Sequence, residues 1–331
     1  MEKGHEKDSM IYGVRRARGR EEPIEVYTNL LVQPPEVASI SGRDKELQTA
    51  RMRHILARTK ERLRRAWDRR RSHVDRPASS ISPTFVAYMS RYHGKVEGWL
   101  SERDAAVCDC LLTFQNRTGI LGDLLEIGVW KGRSAVLQAL HTRQSERLVL
   151  VDPSIPPEVR CVIETAAPSG PTYLEIRSSE LVHSEVYREG AGTFRWVHVD
   201  GEHSGQAVTN DLDVGNRLLG GGGIIAIDDF MDCQYPQVTR QTFEYISCHR
   251  SELQLFLCGF EKGYLCRPEA AQLYLAFLKE SFYGEMRGRG HDQVTIFKTA
   301  YPSDMNCFGI GARRDGWDYW GPDDDETTIP I

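Results

Sequence analysis

The sequence predicts an α/β fold built on a doubly wound, mostly parallel sheet. Short apolar stretches with strand character alternate with stretches whose apolar residues recur at helical spacing, from LGDLLEIG at 121–128 to IIAIDDF at 224–230. Strands and helices that alternate in this way specify a parallel sheet with helices on both faces. At 331 residues, the chain is long enough for one large domain with further segments at either end.

Each element of this alternation has its own signal. Ser101 followed by Asp104 resembles a capping box and predicts the start of a helix before the first strand. The predicted strands are 121–128, 147–152, 172–178, 193–200 and 224–230, and the predicted helices between them are 134–142, 156–166 and 206–219. Beyond Phe230 the signals weaken to a hairpin of strands at 253–260 and 263–267, a helix at 269–278 and a last strand at 294–298. The glycine run 220–223 predicts a helix stop and turn.

The ends of the chain differ from this alternating body. We expect a polar, flexible arm over 1–42, a basic amphipathic helix over 43–76, the main domain over 77–300 and an acidic tail over 301–331. The basic helix is interpreted first as a solvated helix laid on the body. A contact with an anionic surface, or an arm through which the chain forms a homo-oligomer, remains open.

Composition limits the possible classes of protein. The net charge of -5 and the 40% of apolar residues indicate an ordinary globular protein with no need of a polyanionic partner. The charged start is unlike a secretory signal, and no apolar run reaches the roughly 20 residues of a membrane span. The eight cysteines are scattered, without CxxC pairs. We therefore expect a cytoplasmic protein with reduced thiols.

The turn after the first predicted strand is the expected ligand site, because ligands of open α/β sheets bind beyond the carboxyl ends of the strands. The turn reads EIGVWKGRS, from Glu126 to Ser134. It lacks the G-x-G-x-x-G of dinucleotide folds, which disfavours an NAD-dependent enzyme. Its E-x-G-x-x-x-G spacing resembles motif I of S-adenosylmethionine-dependent methyltransferases. That resemblance assigns Glu126, Gly128, Gly132 and Ser134 to the cofactor.

Two later strand ends add to this predicted site. Asp152 ends the second strand, where a carboxylate can accept hydrogen bonds from both ribose hydroxyls. The alternative is an aspartate that caps the turn before Pro153. Ser178 and Ser179 follow the third strand, where this class contacts adenine, although serines favour any turn. We assign Ser179 to the cofactor.

The most specific signal is FRWVHVDGEHSGQAVTNDL at 194–212, followed by GGGGIIAIDDF at 220–230. It resembles the branch of class I methyltransferases that includes the macrocin and mycinamicin sugar O-methyltransferases. YPQV and KGYLCRPE, further along the chain, fit the same branch. The resemblance implies a Rossmann-like, seven-stranded sheet and methyl transfer from S-adenosylmethionine to a small polyhydroxylated acceptor such as a sugar.

Three carboxylates are predicted to converge beside the cofactor. Asp200 ends the fourth strand, Asp228 and Asp229 end the fifth, and these strands are neighbours in the class I order. Like charges so close raise each other's pKa unless a cation is present, and oxygen ligands suit Mg²⁺. The sequence therefore predicts a magnesium site. Two alternatives remain: Asp229 can point to solvent, and Asp200 can serve the cofactor without metal.

His203 is the predicted general base, with Asp200 as the second catalytic residue. It matches the histidine that removes the acceptor proton in some members of the resembled branch, and imidazole changes charge near neutral pH. The alternative is a histidine that caps the helix starting near Ser204 or bonds a backbone carbonyl.

Two other functions remain open at this stage. A phenolic or catechol acceptor would use the same metal geometry and differ only in the lining of the pocket. A cofactor-binding protein without turnover could act as a partner through its basic helix. Nucleic-acid methylation is disfavoured, because no platform of aromatic and basic residues adjoins the predicted site.

Overall fold

The structure, a computed structural model, describes residues 81–298 and 307–312. All of the described residues lie in the second of the chain's two units, which covers 72–331. The predicted arm and basic helix over 1–76 lie outside the described residues. Among the described residues, no helix is long and apolar enough to cross a membrane.

The helices follow the predicted order, with additions. They are α1 (Pro83–Tyr88), α2 (Glu102–Thr118), α3 (Arg133–His141), α4 (Pro157–Glu164), α5 (Glu185–Glu189), α6 (Gly205–Leu218), α7 (Pro236–Cys248), α8 (Pro268–Glu280) and α9 (Phe282–Gly288). Ser101 and Asp104 form the predicted capping box at the start of α2. A π-helical turn, Met89–His93, extends α1, and a 3₁₀ helix, Ser178–His183, precedes α5. Helices α1, α5, α7 and α9 were not predicted.

Within the described part of the chain, one mixed sheet contains nine strands in the order β3-β2-β1-β4-β5-β7-β6-β9-β8. The strands are β1 (Asp123–Ile127), β2 (Leu148–Val151), β3 (Thr172–Leu174), β4 (Phe194–Val199), β5 (Leu219–Ile227), β6 (Gln254–Gly259), β7 (Lys262–Cys266), β8 (Val294–Lys298) and β9 (Phe308–Ala312). The first five strands are parallel, and β7 pairs antiparallel with both β5 and β6. The doubly wound, Rossmann-like fold is confirmed, with nine strands where seven were expected.

Strand β9 comes from the predicted tail. It pairs parallel with β6 through Leu257 and Cys258, and antiparallel with β8. These two strands extend the sheet beyond the predicted hairpin of β6 and β7. The domain boundary at residue 300 stays a prediction, but a segment beyond it is part of the sheet.

Two apolar cores cover the two faces of the sheet. In β1, Leu124 faces the core that contains α2, α3 and α8, and the next residue, Leu125, faces the core that contains α6 and α7. Neighbouring residues of a strand point to opposite faces, so strands buried on both sides are apolar throughout. This explains why the central strands were recognisable as short continuous apolar runs.

The glycine run 220–223 is not the turn that the sequence predicts. Helix α6 ends at Leu218, and the glycines form the first half of β5. The pairing of β4 with β5 shifts between Phe194 and Trp196, so the extra residues bulge there. A Cβ at Gly223 would lie 2.7 Å from the carbonyl oxygen of Phe194. Gly220 and Gly223 lie against the backbone of Phe194, where a Cβ would be crowded, whereas a Cβ at Gly221 would have open space. The sequence pattern of a helix stop does not distinguish these two situations.

A buried ion-pair cluster joins α2, α3 and the end of α9. Asp109 is fully buried, and its carboxylate lies 2.7 Å from Nε2 of His141 and accepts a hydrogen bond of 2.7 Å from Nε of Arg289. Burial alone would raise the pKa of Asp109, but His141 and Arg289 hold it below its usual value. The cluster therefore contributes stability only while Asp109 is ionised.

We predict that Asp109→Asn lowers the free energy of unfolding by about 3–5 kcal/mol, because it leaves a buried guanidinium without its counter-charge. Asp123→Asn is the matched control: its partner Arg147 is 56% exposed, so a loss of about 1 kcal/mol or less is expected. Denaturant unfolding at pH 7 measures both. Folding lowers the pKa of Asp109. The stabilisation by its carboxylate is therefore complete above the unfolded pKa of about 4, and it is lost as the pH falls below that value. Equal losses in the two variants would contradict this account.

Candidate active site

A cavity of about 960 Å³ lies where β1, β2, β4 and β5 end. The strand order reverses between β1 and β4, and ligands of open α/β sheets bind in the crevice at such a reversal. The volume is at the upper end of the range of about 300–1,000 Å³ that is usual for ligand pockets. The cavity therefore has room for a cofactor together with a small second ligand.

The turn from β1 to α3 forms one wall of this cavity through Gly128, Gly132 and Ser134. Gly128 has a φ of 88°, and a Cβ there would lie 1.8 Å from the carbonyl oxygen of Asp200. Gly132 is the N-cap of α3, with a φ of 82°. Both predicted glycines thus occupy left-handed backbone, and Gly128 also fits against β4 where no side chain has room.

Asp152 supports this turn from the end of β2. One carboxylate oxygen accepts hydrogen bonds from the backbone N–H of Val129 at 2.9 Å and of Trp130 at 3.1 Å, and the other accepts one from Ser154 at 2.9 Å. Asp152 also lines the cavity, as does Ser179. The predicted contact with ribose and the alternative of a turn-capping aspartate are therefore compatible, since a carboxylate can accept about four hydrogen bonds.

Glu126 is placed differently from the other predicted cofactor residues. Its side chain is fully buried, and Oε1 lies 3.0 Å from Nδ1 of His198 in the neighbouring strand β4. It does not line the cavity, and its Oε2 has no hydrogen-bond partner. A direct contact between Glu126 and the cofactor stays a prediction.

The predicted acidic residues do meet at the cavity. Asp200, Asp228 and Asp229 all line it, as does His203. Two groups of potential metal ligands, each with its ligand atoms within 4.8 Å of one another, share Asp200. One group contains His198 and Asp228, and the other contains His203 and Asp229. Because β4 and β5 are parallel neighbours, their carboxyl ends bring these residues together as expected.

Sequence reasoning missed Lys262, the first residue of β7. Its side chain is 1% exposed, and Nζ lies 2.5 Å from Oδ1 of Asp228. Since β7 pairs antiparallel with β5, its first residue lies at the edge where β5 ends. The signal was present in the motif KGYLCRPE, but the antiparallel direction of the strand was needed to place its lysine beside the acids.

The pKa values of these acids differ because Lys262 faces them unequally. Burial raises the pKa of Asp228, but the ammonium of Lys262 brings it down to about 2. Burial and the charge of Asp228 together raise the pKa of Asp200 well above its usual value. The same two causes raise the pKa of Asp229, against the opposing effect of His203. Asp228 is thus the firmly ionised member of the set.

His203 forms a pair with Asp229. Its Nε2 lies 2.6 Å from Oδ2 of Asp229. The distance is that of an ion pair, but the two groups are not aligned as a hydrogen bond. Its ring stacks on Tyr235, with ring centres 4.1 Å apart. The alternative that His203 caps α6 does not apply, because Ser204 is the N-cap and accepts from the N–H of Ala207.

Strained backbone is concentrated around the cavity. Trp130, Asp229, Phe260 and Glu261 line it, and each has a positive φ, between 43° and 61°. Phe260 and Glu261 are the two central residues of the turn between β6 and β7, a place where asparagine and glycine are preferred. Each such residue costs roughly 1–3 kcal/mol, and such costs cluster at functional sites.

Two further lining features were not predicted. Asp104, known from the sequence only as a helix-capping residue, is 9% exposed, and its Oδ1 makes no hydrogen bond. Trp99 is 80% exposed and packs on Trp130, with ring centres 4.0 Å apart. Neither has a sequence signal of its own, because capping boxes and loop tryptophans are common away from functional sites.

The fold and site define an α/β protein with a ligand cavity at the strand reversal, a glycine turn on one side and acids with a histidine on the other. Residues 125–230 match a family model described as a methyltransferase domain. This part of the chain is a methyltransferase domain, and the resemblance and the enzyme class predicted from the motifs are confirmed. No curated protein sequence resembles the chain significantly.

Several solved structures share the fold at low similarity. The O-methyltransferase NovP is 17% identical over 50% of this chain and 80% of its own, with a TM-score of 0.41. CalS11, a TDP-rhamnose 3'-O-methyltransferase of calicheamicin biosynthesis, is 16% identical over 56% and 88%, with a TM-score of 0.42. TomG from Streptomyces achromogenes, involved in tomaymycin synthesis and solved with S-adenosylmethionine, is 14% identical over 56% and 90%, with a TM-score of 0.39. Likeness at this level says nothing about the acceptor.

We predict that Gly128→Ala abolishes binding of S-adenosylhomocysteine, because the new methyl group would displace the carbonyl of Asp200 and with it the β1–α3 turn. Gly119→Ala is the control, since Gly119 also has a positive φ, 72°, but has no atom within 4 Å of its added Cβ. The Gly119→Ala variant should lose about 1 kcal/mol of stability and keep its affinity for S-adenosylhomocysteine. Calorimetric titration and thermal unfolding test the pair, and equal loss of affinity in both variants would contradict the prediction.

We predict that Asp104→Asn stabilises the protein at pH 7.5 and not at pH 4. Burial raises the pKa of Asp104 to about 6, above the unfolded value of about 4, so the folded state binds the proton more tightly. The free energy of unfolding of the wild type therefore falls by about 2–3 kcal/mol as the pH rises from about 4 to above about 6. The variant does not show this fall, because the asparagine amide stays neutral. Denaturant unfolding at the two pH values measures the difference. A stability difference independent of pH would overturn the explanation.

Proposed function

We propose that this methyltransferase domain binds S-adenosylmethionine in the cavity and methylates a hydroxyl oxygen of a small polyhydroxylated acceptor, such as a sugar or glycosylated metabolite. The observation that supports this most directly is a single cavity with Gly128 and Asp152 on one wall and His203, paired with Asp229, on another. The first pair suits a nucleoside and the second suits proton removal from an alcohol.

The cofactor fits the residues that are present. The open backbone at Gly128 lets a ligand approach the turn, which Asp152 holds in place through the N–H groups of Val129 and Trp130. The remaining acceptor capacity of Asp152 is available to ribose hydroxyls, and Ser179 lines the same cavity. The bound cofactor supplies an electrophilic methyl group on a sulfonium.

His203 acts on the acceptor in this proposal. His203 would take the proton of the acceptor hydroxyl as the hydroxyl oxygen attacks the methyl group that the bound cofactor would supply, and the cofactor sulfur would keep the electron pair of the broken C–S bond. The carboxylate of Asp229, 2.6 Å from Nε2, stabilises the imidazolium that forms. Asp200 lines the cavity beside this pair and positions the acceptor hydroxyl. The products are the methyl ether and S-adenosylhomocysteine.

A divalent cation is part of the proposal because the donor set suits one. Asp200, Asp228 and Asp229 are the predicted ligands, and carboxylate oxygens are the ligands of Mg²⁺. Such an ion would lower the pKa of an acceptor hydroxyl and orient two neighbouring hydroxyls. The proton transfer to His203 does not depend on it.

A phenolic or catechol acceptor is the second candidate, and the aromatic lining favours it. Trp99 and Trp130 are exposed by 80% and 42%, pack on each other and line the cavity together with Phe260 and Tyr235. Exposed aromatic faces next to a polar site are suited to binding a planar ring. A panel of acceptors that pairs catechols with free sugars and glycosides separates the two candidates by S-adenosylhomocysteine release.

The proposed location and assembly rest on the sequence. A cytoplasmic protein that acts on a small molecule remains our expectation. A homo-oligomer formed through the basic helix also stays a prediction, because that helix lies outside the described residues.

Calorimetric titration of S-adenosylhomocysteine tests the cofactor part of the proposal. We expect binding in the micromolar range for the wild type and a loss of about tenfold or more in Asp152→Asn, which removes one acceptor oxygen and disturbs the turn. His203→Ala should keep its affinity within about threefold, because it acts on the acceptor, and should lose methyl transfer by about 10²–10⁴-fold. A wild type that binds neither the cofactor nor its product would overturn the proposed function.

A further inference from the structure

Lys262 is a buried cation in the middle of the acidic residues. Its ammonium lies 2.5 Å from Oδ1 of Asp228 and 3.5 Å from Nε2 of His198, and its side chain is 1% exposed. A metal was predicted because converging carboxylates without a counter-charge within the chain need a cation. The structure supplies one, and it faces Asp228 most closely.

The hydrogen bonds around His198 fix its role in this arrangement. A lysine ammonium only donates, so Nε2 of His198 faces Lys262 as an acceptor, and Nδ1 carries the hydrogen that it donates to Oε1 of Glu126 at 3.0 Å. A continuous polar chain thus runs from Glu126 through His198 and Lys262 to Asp228. It links the carboxylate of the cofactor motif to the carboxylate at the end of β5.

Asp228 is consequently committed to partners within the protein. Its Oδ1 accepts from Lys262 and, at 3.1 Å, from the backbone N–H of Asp229. Its Oδ2 is the oxygen that faces Nε2 of His198, at 3.9 Å. The negative charge of Asp228 is therefore already balanced, unlike that of Asp229, whose partner is the imidazole of His203.

We propose that Lys262 withdraws Asp228 from the metal-ligand set, so that the divalent cation is held by the carboxylates of Asp200 and Asp229 alone. This inference rests on the metal-assisted form of the proposed function. Of the two overlapping ligand groups, the one that contains His198 and Asp228 is the one that Lys262 contacts.

This arrangement determines how tightly the ion is held. Mg²⁺ is commonly bound through one or two carboxylates, with water and substrate oxygens completing its octahedron. With two carboxylates, the ion is bound weakly by the protein alone and more tightly when acceptor hydroxyls replace water. Lys262 acts as a positioning residue, because it works through Asp228 and not on the acceptor.

Mn²⁺, counted by the electron paramagnetic resonance signal of the free ion, is the probe for this inference. We expect one weak Mn²⁺ site in the wild type. Its affinity for Mn²⁺ should fall by about tenfold or more in Asp229→Asn. Lys262→Met should tighten Mn²⁺ binding by about tenfold or more, because Asp228 and the freed Nε2 of His198 join the ligands. Lys262→Arg keeps the charge and should bind within about threefold of the wild type.

The double variant Asp228→Asn with Lys262→Met is the decisive control. It removes both charges together and so avoids the unpaired buried charge that could unfold either single variant. We expect Mn²⁺ affinity within about threefold of the wild type. A loss of tenfold or more in this variant, equal to that of Asp229→Asn, would overturn the inference by showing Asp228 to be a ligand.

Calorimetry with S-adenosylhomocysteine on the same proteins separates this inference from the proposed function. Retained binding in all variants shows that the fold and cofactor site are intact, so changes in Mn²⁺ affinity then report on the ligands. A wild type that binds S-adenosylhomocysteine but no Mn²⁺ overturns the inference and leaves the cofactor part standing. A wild type that binds neither overturns both.

Discussion

The close approach of β1 and β4 is the constraint on which the rest of the site depends. The backbone at Gly128 touches the carbonyl of Asp200, and there is no room for a Cβ between them. This contact joins the turn that faces the cofactor to the loop that carries Asp200 and His203. The two halves of the cavity therefore form one unit, and the distance between them is set by backbone rather than by flexible side chains.

Charge balance is the second principle of the site. Acids gathered at parallel strand ends need compensation, and this chain provides it from an antiparallel strand whose first residue is Lys262. The compensation is uneven, so that Asp228 is ionised while burial holds protons more firmly on Asp200 and Asp229. Three chemically identical side chains thereby acquire different proton affinities from their position relative to one ammonium.

Much of the fold was predictable because its central strands are buried on both faces and its helices carry a single apolar face. The neighbouring strand ends that carry Asp200, Asp228 and Asp229 followed from the topology of the class. The prediction of a turn at 220–223 was wrong. This glycine run has the composition of a turn, and only its pairing with β4 beside Phe194 shows that it is part of a strand. A glycine-rich segment carries no periodicity from which its secondary structure can be inferred.

The site was predictable where function follows from position along a strand, and not where it follows from pairing between distant strands. His203 and the acids lie directly after β4 and β5, so the sequence identified them. Lys262 and Asp104 reach the cavity from β7 and α2, and their neighbours are residues far away in the chain. Glu126 shows the converse, because the motif assigned it to the cofactor while its burial against His198 could not be inferred from the sequence.

The strained turn between β6 and β7 lowers the stability of the fold while it shapes one side of the cavity. Phe260 and Glu261 hold the backbone at φ values of 51° and 61°, where an asparagine-glycine pair would be relaxed. Replacing both residues with asparagine and glycine would relieve the strain of the turn. The cavity would then lose an aromatic wall and a carboxylate in one step. The shape of this wall of the cavity therefore costs roughly 1–3 kcal/mol of folding energy at each of the two residues.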